Sequence, residues 1–178
     1  ALSGAQLGSL TTEQVAGLTT AQLRAIETRD IASLTTDQLT SIDDGDMVAL
    51  TTSQVVALSG AQVASLTEDQ LDGLTSVQLR AIEVADIGSL TTDQVVTLDS
   101  AQLSYLTTSQ VAGMNSDQLS AIDAGEIVGL TAAAIVALSG AQLGSLTTEQ
   151  VAGLTTAQLR AIETRDIASL TTDQLTSI

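Results

Sequence analysis

The residues of this chain best suited to chemistry are carboxylates that cluster in a few short segments. The densest cluster is Asp43, Asp44 and Asp46, which surround Gly45. Hard cations such as Ca²⁺ bind clustered carboxylates together with backbone oxygens, so this segment predicts a weak calcium site. The competing interpretation, which we favour, is structural. Carboxylates at the start of a short helix are stabilised by the helix dipole and by free backbone amides.

The composition lacks the groups on which most catalytic sites depend. The chain has no His, no Cys and no Lys, and its Ser and Thr hydroxyls have no partner base. General acid–base and nucleophilic catalysis use such groups, so we expect no enzyme activity and no cofactor apart from calcium. A net charge of −16 predicts no nucleic-acid binding. Since no run of about 20 apolar residues is present, we also expect no membrane span.

A fixed period of eight residues organises the whole sequence. A large aliphatic residue stands at every eighth position from Leu2 to Ile178, and we number each octapeptide from 1 to 8 starting at this residue. Such a period indicates a repeat protein whose modules pack on their neighbours. The sequence therefore predicts a single continuous octapeptide-repeat array over residues 1–178.

Four positions of the octapeptide carry a helix signal. Position 2 is Ser, Thr, Asp, Asn or Glu throughout, and position 5 is Gln in 16 of the 22 octapeptides. Ser/Thr-x-x-Gln is a capping box, and aliphatic residues at positions 1 and 6, such as Leu10 and Val15, are spaced as a hydrophobic staple. Position 8 is small in all but one octapeptide, which permits a sharp chain exit and close backbone approach. The pattern predicts an all-α solenoid of very short capped helices, one per 8-residue repeat.

A β-solenoid is the alternative fold. Thr and Val favour strands, and stacked Gln side chains form ladders. However, positions 1 and 6 would face opposite sides of a single strand, whereas the capping interpretation explains positions 1, 2, 5 and 6 together. Because a helix of one or two turns is marginal alone, burial of positions 1 and 6 between repeats must supply the stability.

Five acidic octapeptides depart from the pattern together. They begin with Ile and carry an acid instead of Gln at position 5: Ile26–Asp30, Ile42–Asp46, Ile82–Asp86, Ile122–Glu126 and Ile162–Asp166. We interpret them as acidic capping boxes, some of them paired with Arg29, Arg80 or Arg165. Their starts lie 16, 40, 40 and 40 residues apart. This spacing predicts that five octapeptides make a nearly whole number of turns of the coil. We therefore expect about 2.5 octapeptides per turn.

A longer duplication overlies the octapeptide period. Residues 1–42 return unchanged as residues 137–178, an offset of 136 residues or seventeen octapeptides. We therefore divide the array into one long tandem repeat, residues 1–136, and the start of the next copy, residues 137–178. Since the register is kept across the join at Val136 and Ala137, we expect natural duplication within a longer array rather than an artificially copied segment.

Two adjacent octapeptides show the repeat most clearly: Leu-Thr-Thr-Glu-Gln-Val-Ala-Gly at 10–17 and Leu-Thr-Thr-Ala-Gln-Leu-Arg-Ala at 18–25. They resemble the Leu-Thr-Thr-X-Gln arrays of very large secreted bacterial surface and adhesin-like proteins. The resemblance covers the whole chain. It implies an extracellular or cell-surface location and a structural or adhesive role. The near-identical copies of the long repeat favour a repeat segment of a filament, stalk or giant surface protein, with copies of the chain as partners, because length rather than a unique site is then the product. The alternative is a binding module, either a calcium-dependent adhesin or a surface that binds ice or glycans.

Overall fold

The computed structural model describes residues 3–162 and 164–178. The chain divides into two compact units, Ala1–Leu90 and Thr91–Ile178. In both units nearly every octapeptide forms one helix of four to six residues, and the described residues contain no β-strand. The prediction of an all-α array of short helices is confirmed, and the β-solenoid is not supported. Whether residues 1–136 form a natural duplication unit stays a prediction.

The first unit contains ten α-helices and one 3₁₀ helix among its described residues. They are α1 (Gly4–Gly8), α2 (Thr12–Ala16), α3 (Thr20–Arg24), α4 (Thr28–Ile31), α5 (Thr36–Thr40), the 3₁₀ helix Asp44–Ala49, α6 (Thr52–Val56), α7 (Gly60–Ser65), α8 (Glu68–Asp72), α9 (Ser76–Ala81) and α10 (Val84–Ile87).

The second unit repeats this arrangement over its described part. Its helices are α11 (Thr92–Val96), α12 (Ser100–Tyr105), α13 (Thr108–Gly113), α14 (Ser116–Ala121), the 3₁₀ helix Ile127–Gly129, α15 (Ala132–Ala137), α16 (Gly140–Ser145), α17 (Thr148–Ala152), α18 (Thr156–Ala161), α19 (Thr164–Ile167) and α20 (Thr172–Thr176).

The capping box predicted from the sequence forms at every Gln. In α2, for example, the Thr11 hydroxyl accepts from the Gln14 amide at 3.2 Å, and Gln14 Oε1 accepts from the Thr11 amide at 2.9 Å. The same reciprocal pair opens all the other helices whose third residue is Gln. Two of the four free amides at each helix start are satisfied in this way.

The core of each unit is built from positions 1 and 6, as predicted. Position 6 is buried from Leu7 to Val151, and position 1 is buried from Leu34 to Leu170. The prediction is wrong for Leu10, Leu18 and Ile26, which are half-exposed. Position 1 packs against the turn before it, and the described residues place no turn before these three. Ile167 and Leu175 at position 6 of the last octapeptides are exposed for the converse reason.

Successive turns of the coil contain between three and four octapeptides. Helices three octapeptides apart pack on each other, for example α2 on α5, α6 on α9 and α7 on α10 in the first unit, and α11 on α14 and α15 on α18 in the second. Side-chain bridges between turns span 28 to 31 residues. The prediction of about 2.5 octapeptides per turn is therefore wrong. The spacing of the acidic octapeptides carried no information about which residues touch.

Small residues at position 8 allow the backbone of a neighbouring turn to approach closely. They are not needed for a left-handed backbone conformation. Gly17 and Gly73 end α2 and α8 with ordinary negative φ angles of −83° and −66°, and no described residue has a positive φ. A Cβ on Gly73 would lie 2.8 Å from the Asp44 carbonyl oxygen of the neighbouring turn, and one on Gly153 would lie 2.7 Å from the Ala124 carbonyl oxygen. Of the two roles predicted for this position, the structure supports close approach.

The duplicated octapeptides 10–17 and 146–153 give a matched test of turn packing. They have the same sequence, but Leu146 is 4% exposed whereas Leu10 is half-exposed. We expect Leu146→Ala to cost about 2–5 kcal/mol because a buried cavity remains. Leu10→Ala should cost clearly less. Urea unfolding together with hydrogen exchange of the α17 and α2 amides would measure both, and equal costs would contradict this packing scheme.

Candidate functional site

The most regular polar site in the molecule is the contact between one turn and the next. In α5, Gln38 Oε1 accepts from the Thr35 amide of its own helix at 2.8 Å. The other end of the same side chain crosses to the previous turn, where Nε2 donates to the Leu7 carbonyl at 3.2 Å and to the Leu10 carbonyl at 2.6 Å. A single amide thus caps a helix and joins two turns.

The bridge recurs through both units. Each bridging Nε2 donates to the carbonyl 28 residues earlier and to a second carbonyl 30 or 31 residues earlier. In the first unit the further bridging residues are Gln54, Gln62, Gln70 and Gln78. In the second unit they are Gln142, Gln150, Gln158 and Gln174.

The bridge satisfies a backbone group that has no other partner within the described chain. The position 1 carbonyl lies just before a helix, so no intrahelical amide reaches it. At Ile122 this carbonyl accepts from Gln150 Nε2 at 2.6 Å and from no backbone amide. An unpaired buried carbonyl is costly. Since Gln150 also accepts at Oε1 from the Thr147 amide at 2.8 Å, both ends of its buried amide are paired.

Glutamines without a preceding turn make only the cap. Gln14 has the same octapeptide sequence as Gln150, but its side chain is exposed, whereas Gln150 is 1% exposed. Gln14 Oε1 caps the Thr11 amide, and within the described residues its Nε2 reaches no carbonyl of another turn. The bridge is therefore a property of the stacked turns and not of the octapeptide alone.

The four acidic octapeptides whose N-cap residues the structure describes do not form the acidic capping boxes that the sequence suggested. Glu27 and Glu83 stand at the N-cap positions of α4 and α10 without a side-chain cap. Asp43 Oδ1 accepts from the Gly45 amide at 3.0 Å, and Asp123 Oδ1 accepts from the Gly125 amide at 2.7 Å. Both are two-residue links of the Asx type: Asp43 is the N-cap of the 3₁₀ helix Asp44–Ala49, and the Asp123 link precedes the 3₁₀ helix Ile127–Gly129. Glu163 of the fifth acidic octapeptide lies outside the described residues.

The three residues of the predicted calcium site lie at the exposed start of the 3₁₀ helix Asp44–Ala49. Asp43 and Asp44 are exposed and Asp46 is half-buried. In the described chain, no group of three or more acidic side chains is arranged to hold a metal ion. The structure therefore does not bring Asp43, Asp44 and Asp46 together as a ligand set, and calcium binding stays a prediction.

Among the described residues, Asp86 and Glu149 have shifted pKa values, and neither of the two forms an ion pair there. Burial raises the pKa of Asp86, and the nearby Glu83 carboxylate adds to the rise. Asp86 therefore holds its proton more tightly in the folded chain than in the unfolded chain, and its ionised form opposes folding. The free energy of unfolding consequently rises as the pH falls through the pKa of Asp86 in the folded chain. Hydrogen bonds from its own backbone amide and then from Thr148 and Thr147 lower the pKa of Glu149.

One surface hollow lies beside α3 in the first unit. It has a volume of about 360 Å³ and is lined by Thr20, Ala21, Arg24, Val48 and Ala49. Arg24 Nε donates to the Ala49 carbonyl of the next turn at 3.2 Å. The guanidinium therefore holds two turns together, and no carboxylate or other titratable group is among the residues that line the hollow with it. These residues give no arrangement for acid–base chemistry.

Sequence reasoning found the cap function of Gln but missed its bridge. One signal was available: a capping box accepts Gln or Glu at its third helical residue, yet Glu occupies position 5 only once, at Glu126. Only the carboxamide of Gln can also donate. The near-exclusion of Glu therefore indicated that the NH₂ group is used.

The short stacked helices and the bridges between turns define a helical tandem-repeat protein. The family model of the ALTTAQ repeat matches residues 23–60, 40–76, 79–116 and 119–156. These matches cover well over half of the chain, and the chain belongs to the ALTTAQ repeat family. No curated protein matches it. None of the helices in the described part of the chain has the length and apolar character needed to cross a bilayer.

Replacing Gln by Glu separates the two functions of the side chain. In Gln150→Glu the new carboxylate could still cap its helix, but it would lie against the Leu119 and Ile122 carbonyls. We expect this variant to lower the free energy of unfolding by about 2–5 kcal/mol, as for other buried unpaired charges. Gln14→Glu, in the same octapeptide sequence, should be nearly neutral. Urea denaturation would measure both, and similar costs would show that the bridge is not important.

Calorimetric titration tests the calcium prediction. Because the carboxylates of Asp43, Asp44 and Asp46 are not gathered around one point, we expect Ca²⁺ affinity no tighter than about millimolar. The variant Asp43→Asn/Asp46→Asn should bind Ca²⁺ about equally weakly. Submicromolar binding that this variant abolishes would show a calcium site instead.

Proposed function

We propose that this chain is a structural repeat segment of an extracellular filament, stalk or giant surface protein, and that copies of it associate in a fibre. The observation that carries the proposal is the Gln bridge, which joins one turn to the next by the same contacts in both units. A scaffold of this kind gains length without a unique site. The resemblance to bacterial surface arrays and the acidic composition support the extracellular location.

The outer turns support addition of further turns. Leu10, Leu18 and Ile26 are half-exposed, and Ile167 and Leu175 are exposed. Interior turns bury residues at these same octapeptide positions. A neighbouring segment, from the same chain or from a copy, would cover these aliphatic groups and pair the exposed Gln amides of the first turn. An open-ended repeat favours such stacking because apolar area is removed from water.

Exposed carboxylates form a row in each unit, with one acid at position 4 on successive turns. Position 4 is acidic only in octapeptides that lie three or four apart along the chain. The row residues are Glu13, Asp37 and Asp69 in the first unit, and Asp93, Asp117, Glu149 and Asp173 in the second. Within the first unit α2 packs on α5, and Gln70 of α8 donates to the Leu39 carbonyl of α5. The row therefore follows contacts between turns.

These rows are expected to control lateral association. Two faces that each carry one carboxylate per turn repel each other, and salt screens this repulsion over a Debye length of about 10 Å at 0.1 M. We also propose that the chain has no enzymatic role, since among the described residues neither Asp86 nor Glu149, whose pKa values are shifted, is paired with a basic side chain. Among the described residues no metal ligand set supports the alternative of a calcium-dependent adhesin.

Light scattering and electron microscopy across ionic strength test the proposal. We expect association to increase with salt, and the row variant Glu13→Gln/Asp37→Asn/Asp69→Asn to associate at lower salt than the native chain. The matched control Glu27→Gln/Asp44→Asn/Glu83→Gln removes the same number of charges from exposed residues of the same unit, and it should shift association less. A compact monomer at every salt concentration, with no fibres in the native source, would leave the binding module as the better hypothesis.

A further inference from the structure

Near-identical octapeptides leave the register of the coil poorly specified. Most of them offer the same aliphatic residues, the same cap and the same Gln bridge, and a turn closes through contacts three octapeptides apart. If one turn slipped by one octapeptide along the other, almost every Leu and Gln would find an equivalent partner. Repetitive pairing surfaces are prone to this error, and buried polar groups that fit only one partner prevent it in other folds.

The acidic octapeptides make contacts between turns that Gln octapeptides do not make. Asp30 Oδ1 accepts from the Gly4 amide at 2.9 Å, and Glu126 Oε2 accepts from the Ser100 amide at 2.6 Å. Gly4 and Ser100 are the first residues of α1 and α12, three octapeptides before the acid. Each carboxylate therefore caps a helix of the previous turn, where Gln would have donated to a carbonyl.

A glycine in the previous turn makes room for this contact. A Cβ on Gly60 would clash with Ser89 Oγ and lie 3.1 Å from Asp86 Oδ1. A Cβ on Gly4 would likewise clash with Ser33 Oγ and lie 2.9 Å from Asp30 Oδ1. Most other octapeptides have Thr or another larger residue at this position 3. An acidic octapeptide that ends in Ser therefore fits over Ser-Gly-Ala-Gln and not over Leu-Thr-Thr-X-Gln.

The sequence places these two partners at a constant distance. Ser-Gly-Ala-Gln octapeptides begin at residues 2, 58 and 138, and acidic octapeptides that end in Ser begin at residues 26, 82 and 162. Each pair is 24 residues apart, and each Ser-Gly-Ala-Gln octapeptide has its acidic partner. We call such a pair a docking pair. The contact at the third pair includes Gly140 and Ser169, where a Cβ would again clash with the Ser hydroxyl.

The first docking pair is poorly suited to a purely stabilising role. Asp30 is 8% exposed, and within the described residues its buried Oδ2 has no hydrogen-bond partner, with Arg29 Nε 3.8 Å away. A buried carboxylate oxygen that is left unpaired lowers stability. Such groups are retained in some proteins because they specify one arrangement among several of similar energy.

We propose that the docking pairs are register locks, which decide which octapeptide stacks on which. In each docking pair, the Ser at position 8 of the acidic octapeptide leaves no room for a Cβ at position 3 of its partner, three octapeptides earlier. A one-octapeptide slip would place this Ser against a residue that carries a Cβ, which is Thr12, Thr52, Glu68, Ala132 or Thr148. The Gln bridges give every turn its cohesion, and the docking pairs select the register.

A double-mutant cycle tests the contact itself. Gly60→Ala should lower the folding equilibrium constant of the first unit about tenfold or more, as overpacking does, and Ser89→Ala in addition should restore most of that loss. Gly17→Ala is the matched control, because its Cβ would make only ordinary contact, 3.4 Å from the Glu13 carbonyl oxygen. Additive effects of Gly60→Ala and Ser89→Ala would overturn the proposed contact.

Exchange of whole octapeptides tests the register directly. Since the native chain has no Cys, spin labels on Ala61→Cys and Ala85→Cys report one distance between stacked turns. In the exchange variants the two Cys residues stay at chain positions 61 and 85. Exchanging residues 50–57 with 58–65 moves the glycine away from its acid, and we expect a second, longer distance or loss of the fold. Exchanging residues 74–81 with 82–89 as well restores the 24-residue spacing and should restore the single distance. An unchanged distance after the first exchange, or no recovery after the second, would overturn the proposal.

Discussion

The side-chain amide of Gln at position 5 is the interaction on which the rest of the structure depends. Its oxygen accepts the free amide at the start of its own helix, and its nitrogen donates to two carbonyls of the previous turn. A helix of five residues does not form alone, because the cost of fixing its first turn is not recovered over so short a length. The bridge couples that start to a neighbouring turn, so the helix and the stack form together.

The apolar core also stabilises the contact between successive turns. Positions 1 and 6 are separated by one helical turn, and they face the previous and the next turn of the coil respectively. The half-exposed Leu10 and the exposed Leu175 show the two directions separately. Two aliphatic side chains per octapeptide give about 3–6 kcal/mol of burial, which is less than the entropy lost on ordering eight residues. Satisfied backbone groups must supply the difference, in the helical turns as well as in the caps and bridges.

The sequence predicted the features that depend on residues close together in the chain. The cap joins residues three apart, as in Thr11 and Gln14, and the aliphatic residues that are buried in interior turns recur at positions 1 and 6. Both signals can be read in one octapeptide. The bridge from Gln38 to Leu10 spans 28 residues, and a strictly periodic sequence does not reveal which equivalent residue is the partner. For the same reason the number of octapeptides per turn was wrong, and the acidic octapeptides were interpreted as local caps.

Uniformity and specificity make opposite demands on a repeat protein. Identical octapeptides allow the array to lengthen by duplication, because each new Gln finds a carbonyl and each new Leu finds a hydrophobic partner. The same uniformity removes the information that would fix one register. The exceptions to the pattern are therefore the informative residues. Gly60 lacks the side chain that its neighbours carry, and Asp86 lacks the donor that Gln provides. Each would weaken a uniform stack, but across one turn they fit each other. When two departures from the consensus recur at a fixed distance along the chain, as the Gly at position 3 and the acid at position 5 do, they indicate a contact between turns that the consensus residues alone do not specify.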